Sequence, residues 1–438
     1  MMIRMILWAA AGVVALGQVT PAPPLTLTLK DAQMRGAENA PQLLAAMSDS
    51  RAAHEDLVQA RSAGKPGVSV RSDYLGTQGN GTFASGRYVT NDGVHVYREW
   101  AVVHQDFNAA LLKTGVEKAS VVETMARLKA EIARRGVAAT VTKAYYGLLA
   151  SQRKYATAQE ALDQAKRSLG ISQDLERGGE AAHSDVVKSD LQVSKQDQVF
   201  REAKLAMENA RLDLAVLLFR DLDENFSIVD DLSLAPALPE FTEVQTLAGT
   251  ANPYILLANN ALRSANLDVA MARQAYLPSL TADLAYGIEA NAFALHSTVA
   301  ADPGKGPQPN LGYFLTVSLT LPVWDWGARA SKVKQADLKR EQAKVELSAT
   351  QRELIRNLRG FYSEAQTAKE QVDSLKHGVD LAAESLRLNG LRYQAGEASI
   401  LELVDAQSTL TDARNAYDDG LVRYRLAVAN LQTLTGTF

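Results

Sequence analysis

Proline placement constrains this chain more than any other feature. There is no proline between Gly67 and Ala235, and none from Val323 to the C-terminus. Proline inside a helix removes a hydrogen bond and clashes with the preceding turn, so these two stretches are free to form very long helices. In the second stretch Leu354, Leu358, Phe361, Ala365, Ala368, Val372, Leu375, Val379, Ala382 and Leu386 recur at alternating spacings of 4 and 3. The same stripe, with one polar exception, stands 217 positions earlier at Val137, Val141, Ala144, Leu148, Ser151, Tyr155, Ala158, Leu162, Ala165 and Leu169. Leu410, Ala413, Tyr417, Gly420, Tyr424, Ala427, Leu431 and Leu434 carry it into the last helix. A period of about 3.5 residues is a coiled-coil seam, and its many alanines imply close helix approach. A helix over residues 328–390 would run roughly 95 Å, which no compact domain needs.

The offset points to an internal duplication. At 212 positions Pro41 matches Pro253, Pro66 matches Pro278 and Tyr74 matches Tyr286. At 217, Tyr145 matches Tyr362, and Gly179-Glu180-Ala181 matches Gly396-Glu397-Ala398. A loop in the middle of each half would absorb the difference. Residues 18–235 are read as a first repeat and 236–438 as a second, each a helix, a strand pair and a long helix hairpin. The hairpin turns fall near 177–181 and 394–398.

The strand pairs show a period of two. Leu280, Ala282, Leu284, Tyr286 and Ile288 oppose Thr281, Asp283, Ala285 and Glu289, and Leu311, Tyr313, Leu315, Val317, Leu319 and Leu321 form a second alternating set. These give strands over 279–290 and 311–322. A blurred version, Val68, Val70 and Tyr74 followed by Val94, Val96, Trp100 and Val102, gives strands over 67–77 and 94–106. The intervening 77–93 and 291–310 read as solvated loops. Runs of about 11 residues suit tilted transmembrane strands, although a half-buried soluble sheet alternates in the same way. Trp324, Trp326, Tyr313 and Phe107 at strand ends fit a membrane interface or a core edge. Four strands cannot close a barrel, so insertion would require an oligomer, and three chains would supply twelve.

The N-terminus MMIRMILWAAAGVVALG, residues 1–17, has Arg4 before an uncharged apolar run and a small-x-small pattern at Ala15 and Gly17. It reads as a cleaved signal peptide. Its roughly 12 apolar residues are too few for a membrane anchor. Later segments are not apolar enough for a membrane helix, so entry into a membrane would be by strands. The chain has no cysteine, which excludes disulfides, thiolate metal sites and a lipidated N-terminal cysteine. Its formal charge of −4 gives no reason to expect nucleic acid. The six histidines show no metal-ligand spacing, and no glycine-rich phosphate loop follows a strand. No cofactor, metal site or catalytic constellation is expected.

Arg392 to Gly436 resembles the last helix hairpin of the TolC-like family of outer-membrane efflux proteins. Leu277-Pro278-Ser279-Leu280, the run Leu321 to Arg329 (LPVWDWGAR), and Leu27 to Ala32 with Asn39-Ala40-Pro41 resemble its second strand pair, the start of its long helix and its N-terminal helix. The resemblance implies a mixed α and β fold in which long antiparallel coiled-coil helices form an α-barrel. Four strands per chain would join a trimeric twelve-stranded transmembrane β-barrel. It implies a homotrimer in outer-membrane lipid, with a tunnel through the periplasm of a Gram-negative-type cell. Its partners would be a periplasmic adaptor and an inner-membrane pump, for multidrug efflux or type I secretion. The first half departs from the family by reading Gln105-Asp106-Phe107-Asn108 before its long helix.

A tunnel needs a gate and a docking surface. Glycine permits each tight turn, and the resemblance gives Gly179, Ala181, Gly396 and Ala398 the docking of adaptor hairpins. Past the turns lie Asp185, Glu402 and Asp405. Glu402 and Asp405 are three apart and share a helix face, so a trimer would stack them as carboxylate rings that attract cations. The bland reading of such acids is helix-dipole stabilisation. In the family, acids at these positions line the closed periplasmic gate and a residue matching Tyr393 helps latch it. Ala398 stands where a basic latch partner can occur. A soluble periplasmic coiled-coil adaptor is the alternative, disfavoured because its hairpin would normally be single.

Overall fold

The computed structural model describes residues 25–76, 78–79, 89–90, 95–222, 224–234, 236–290, 293–300, 304 and 306–436. The expected signal peptide at 1–17 lies outside these residues, as does much of the loops at 77–93 and 291–310. In chain order the elements begin β1 (Leu25–Leu27), α1 (Leu29–Asn39), α2 (Pro41–Ser62), β2 (Gly67–Gly76), β3 (Gln78–Gly79), β4 (Val89–Thr90), β5 (His95–Asp106), α3 (Ala109–Gly178) and α4 (His183–Leu218). They continue with β6 (Phe226–Ile228), α5 (Phe241–Ala251), α6 (Pro253–Gln274), β7 (Ser279–Ala290), β8 (His296–Ala300), β9 (Pro307–Pro309), β10 (Leu311–Thr320), α7 (Ala328–Gln394) and α8 (Ile400–Thr435). The fold is mixed helix and sheet, dominated by helix.

Local chemistry sets the shorter helices. The Thr28 hydroxyl accepts from the Asp31 amide while the Asp31 carboxylate accepts from the Thr28 amide, a reciprocal cap on α1. Pro41 and Pro253 occupy the first positions of α2 and α6, where their missing N–H costs nothing. Nothing of that kind interrupts α3 or α7, with 70 and 67 residues. At about 1.5 Å per residue each is on the order of 100 Å long.

The first part of α3 packs against α2 and α6, with Lys118 paired to Asp268 and His54 Nδ1 lying 2.8 Å from Glu123. Its second part packs against α4 and α8, as α7 packs first on α6 and then on α8. The coiled-coil stripe is the contact surface: Leu358, Ala365, Ala368 and Ala382 on α7, and Tyr424, Ala427 and Leu431 on α8, are all buried.

The largest core sits midway along the helices, where the parallel β1–β6 ladder and the 225–239 connector wrap α3, α4 and α8. Tyr145, fully buried, donates to the Val229 carbonyl at 2.6 Å, and burial pushes its hydroxyl above the usual tyrosine range. Arg153 grips Asp230 through two 2.8 Å bonds and Asp418 through a third. Tyr424 and Tyr362 donate to the carbonyls of Pro236 and Pro239. A second core joins α5 to α7 and α8.

The four long strands form one antiparallel sheet in the order β10-β7-β5-β2. Two short ladders, β3 with β4 and β8 with β9, accompany it. Its edges, β2 and β10, have no further strand beside them among the described residues. No helix in the described residues is long and apolar enough to cross a membrane.

Candidate functional site

Two regions carry chemistry beyond packing: the two faces of the sheet and the turns that end the helix hairpins.

Strand pairing fixes the faces. Val68 lies opposite Val103, Val103 opposite Leu284 and Leu284 opposite Leu315, so one row of four apolar side chains crosses the sheet. The next row is Val70, Ala101, Tyr286 and Tyr313. These side chains point into open space; Val68 is 75% exposed and Tyr313 78%. Leu315, Val317 and Leu319 extend the same surface. Monomeric soluble proteins rarely leave so large a continuous apolar face in water.

The strand-forming set Val96, Trp100 and Val102 lies on the other face from Val68 and Val70; the register Val68–Val103 puts the odd-numbered residues of β5 on the apolar face. The even set turns to the opposite, polar face, where Trp100 packs edge-on against Phe314. The cause is that β5 carries apolar residues on both sides, so its pattern has no single phase. On this polar face Arg98 donates to Glu289 at 3.0 and 2.8 Å, His104 Nδ1 lies 2.7 Å from Asp283, and Arg71 pairs with Asp73 at 2.7 Å. Sequence reasoning missed this ion-paired surface, whose partners lie up to 191 residues apart.

The hairpin turns are built alike. Gly179 and Gly396 have φ of 76° and 71°, a left-handed conformation in which glycine carries no Cβ penalty. The Glu180 amide reaches back to the Leu175 carbonyl at 2.8 Å, and the Glu397 amide to Arg392 at 2.8 Å, closing the last turns of α3 and α7. Gly179 and Gly396 are exposed, and Ala181 and Ala398 are partly so.

Tyr393 lies apart from the acids. It is buried with Ile400 and Leu403, and its hydroxyl is 2.7 Å from that of Ser172 on α3. Ser172 in turn is 2.8 Å from Ser189 on α4. Close by, Gln407 on α8 donates to Ser168 on α3 at 2.8 Å. Uncharged hydroxyls and one amide thereby join α3, α4, α7 and α8 above the turns. The sequence signal for this network was faint: Ser168 and Ser172 sit one turn apart in a stretch otherwise read as apolar seam.

Glu402 is spoken for. Its carboxylate accepts from the Ser399 amide at 3.3 Å and the Ser399 hydroxyl at 3.1 Å, forming the cap of α8, with Arg392 at 3.4 Å. The Ser399 amide and hydroxyl hold the Glu402 carboxyl below the usual carboxylate range, with Arg392 adding to the effect. The Ser-x-x-Glu spacing announces such a cap. Asp185, in the first turn of α4, pairs with Lys188 at 3.2 Å. Asp405 is exposed, one turn beyond Glu402 on the same side of α8. Two of the three acids therefore have local partners, and Tyr393 bonds to α3 rather than to any of them. Among the described residues no group of three acidic or histidine side chains could hold a metal ion.

Comparison with known proteins bears on both regions. The family described as "Outer membrane efflux protein" matches residues 246–437. Outer membrane protein TolC of Vibrio cholerae is 23% identical over 91% of this chain and 88% of its own length. Outer membrane protein OprJ of Pseudomonas aeruginosa is 23% identical over 69% of this chain, a match spanning 61% of that protein. Among solved structures, the outer membrane protein VceC of Vibrio cholerae superimposes with a TM-score of 0.78 at 16% identity, covering 93% of this chain and 96% of that one. The Campylobacter jejuni CmeC outer membrane channel gives 0.78 at 18%, covering 93% and 85%.

Proposed function

We propose, from the premise that this chain belongs to the outer membrane efflux protein family, that it is the exit duct of a tripartite efflux or type I secretion system. The single observation that carries the reading is the four-stranded sheet, with one exposed apolar face, one ion-paired polar face and two open edges. Open edges expose unpaired backbone groups, which a bilayer does not tolerate. Pairing β10 of one copy with β2 of the next removes both, and three copies of four strands close a barrel of twelve. The apolar rows then meet lipid and the polar face lines the lumen. Trp324 and Trp326, exposed just beyond β10, belong at the lipid headgroups. A soluble adaptor would leave the whole apolar face in water.

In this reading the protein is a duplicated chain, exported by its signal peptide to the outer membrane. Its helices form an α-barrel tunnel that extends into the periplasm. The turns at Gly179, Ala181, Gly396 and Ala398 receive a periplasmic adaptor, and an inner-membrane pump supplies the energy. Asp405 and Glu402, with Asp185 beside them, ring the entrance as a cation-attracting gate. Tyr393 latches that gate from within each chain, through Ser172.

The test is conductance of the purified protein in planar bilayers, wild type beside Glu402→Ala/Asp405→Ala. A low, cation-selective conductance that rises in the double variant is expected. A conducting wild type unchanged by the substitutions sinks the gate assignment, and folded protein that never inserts sinks the duct.

A further inference from the structure

The polar face of the sheet holds a notch that barrel closure does not require. Along one row Arg71 on β2 lies opposite Trp100 on β5, Trp100 opposite Gly287 on β7, and Gly287 opposite Gly312 on β10. The indole itself is only 9% exposed and Gly287 beside it is buried, so the open floor lies at Gly312. Gly287 is fixed by packing, because a Cβ there would collide with the Glu99 carbonyl oxygen; the space over Gly312 is open. From the neighbouring row Phe314 meets Trp100 edge to face with ring centroids 5.0 Å apart, yet keeps 44% of its surface exposed. The depression around the two rings has a volume of about 530 Å³, within the roughly 300–1,000 Å³ of small-molecule sites.

The flanking charges already have partners. Arg71 holds Asp73, Arg98 holds Glu289 and His104 holds Asp283. A charged solute would have to compete with counter-ions already in place. An uncharged flat ring loses nothing to them, and it gains contact with the half-exposed Phe314 ring and the accessible rim of the Trp100 indole.

We propose that Trp100 and Phe314 form a lumenal contact site for planar, uncharged aromatic solutes. The site rests on the duct reading, which turns the polar face toward the lumen. Its opposite is an aromatic pair that only packs the polar face of the sheet, in which case no solute effect would saturate.

Caffeine serves as the probe and sucrose as a non-planar uncharged control. Conducting wild-type channels are expected to show saturable current interruptions with caffeine and none with sucrose. Trp100→Leu/Phe314→Leu should weaken the effect at least about tenfold, the loss of two aromatic contacts, with interruptions read against that variant's own caffeine-free conductance. Trp100→Phe, which keeps a ring, should remain close to wild type. Interruptions that persist in the double leucine variant, or their absence from conducting wild-type channels, overturn the site. A second readout is independent of conduction. The Trp8→Phe/Trp324→Phe/Trp326→Phe variant leaves Trp100 as the sole tryptophan. Its emission in detergent should respond to caffeine with saturation, and a strictly linear, collisional response overturns the site. Channels that never conduct fail the duct reading, and the emission titration then still decides whether the rings bind.

Discussion

Removing one oxygen from Tyr393 separates its packing from its hydrogen bond. The ring is buried against Ile400 and Leu403, and the hydroxyl is 2.7 Å from Ser172. In Tyr393→Phe the ring stays, and Ser172 still has the Ser168 carbonyl at 3.0 Å and Ser189 at 2.8 Å, so no buried group is orphaned. The cost is one net hydrogen bond, about 1 kcal/mol, or about fivefold in the equilibrium for local opening of the hairpin ends. Ser172→Ala is worse despite the smaller side chain, because it strands the buried Tyr393 hydroxyl, at about 1–3 kcal/mol. Tyr393→Ala adds a cavity and should cost about 3–5 kcal/mol. Hydrogen exchange of amides in residues 168–192 and 386–407 reads these energies locally. The reasoning is refuted if Tyr393→Phe leaves exchange there unchanged, or if Ser172→Ala proves milder than Tyr393→Phe.

The faces of the sheet should respond oppositely to charge. Val317→Lys, on the apolar face, should cost about 2–4 kcal/mol and block insertion into vesicles, while Thr316→Lys next to it on the polar face should insert normally. Gly396→Ala meets no neighbour and should cost only the left-handed strain, about 1 kcal/mol, seen as faster exchange at that turn. Gly287→Ala should disrupt the β5–β7 pairing and lower the thermal midpoint of the protein, since the new Cβ drives into the Glu99 carbonyl. Acid should loosen the middle of α3: Arg134, with Arg135 beyond it, holds the Glu131 carboxyl down to about 2 from an ordinary 4.5. A depressed carboxyl contributes fully above its ordinary pKa and loses that contribution as pH falls from about 4.5 toward 2. Glu131→Gln should flatten a stability-pH curve in that window, and an unchanged curve would count against the pairing.

Some of this is legible in the sequence alone. The stripe from Leu354 to Leu434 could be read because a coiled-coil seam repeats locally, and its central members Ala365, Ala368 and Tyr424 are buried. Leu280, Leu284 and Tyr286, with Leu311 to Leu319, could be assigned one face because polar or small residues, Phe314 excepted, separate them. In β5 both faces carry apolar residues, and only pairing with Val68 decides which way Trp100 points. The ion pairs Arg98–Glu289 and His104–Asp283 depend on strand neighbours that no local pattern specifies. At the hairpin turns the glycines announce themselves by their required φ. The Tyr393–Ser172–Ser189 chain does not, because a serine in a seam looks like a mere interruption.

The open edges of the sheet also set a timetable. In a single folded chain β2 and β10, ten residues each, have no strand on their outer side among the described residues, and such backbones pair with whatever extended strand they meet first. If three copies close a barrel as proposed, the interval between folding the sheet and joining the copies is the dangerous period in the life of the molecule. That interval lengthens as chains become scarce, because assembly requires encounters. Low expression should therefore leave a larger fraction of misassembled material. A holdase that masks either edge would raise the yield most when the protein is dilute.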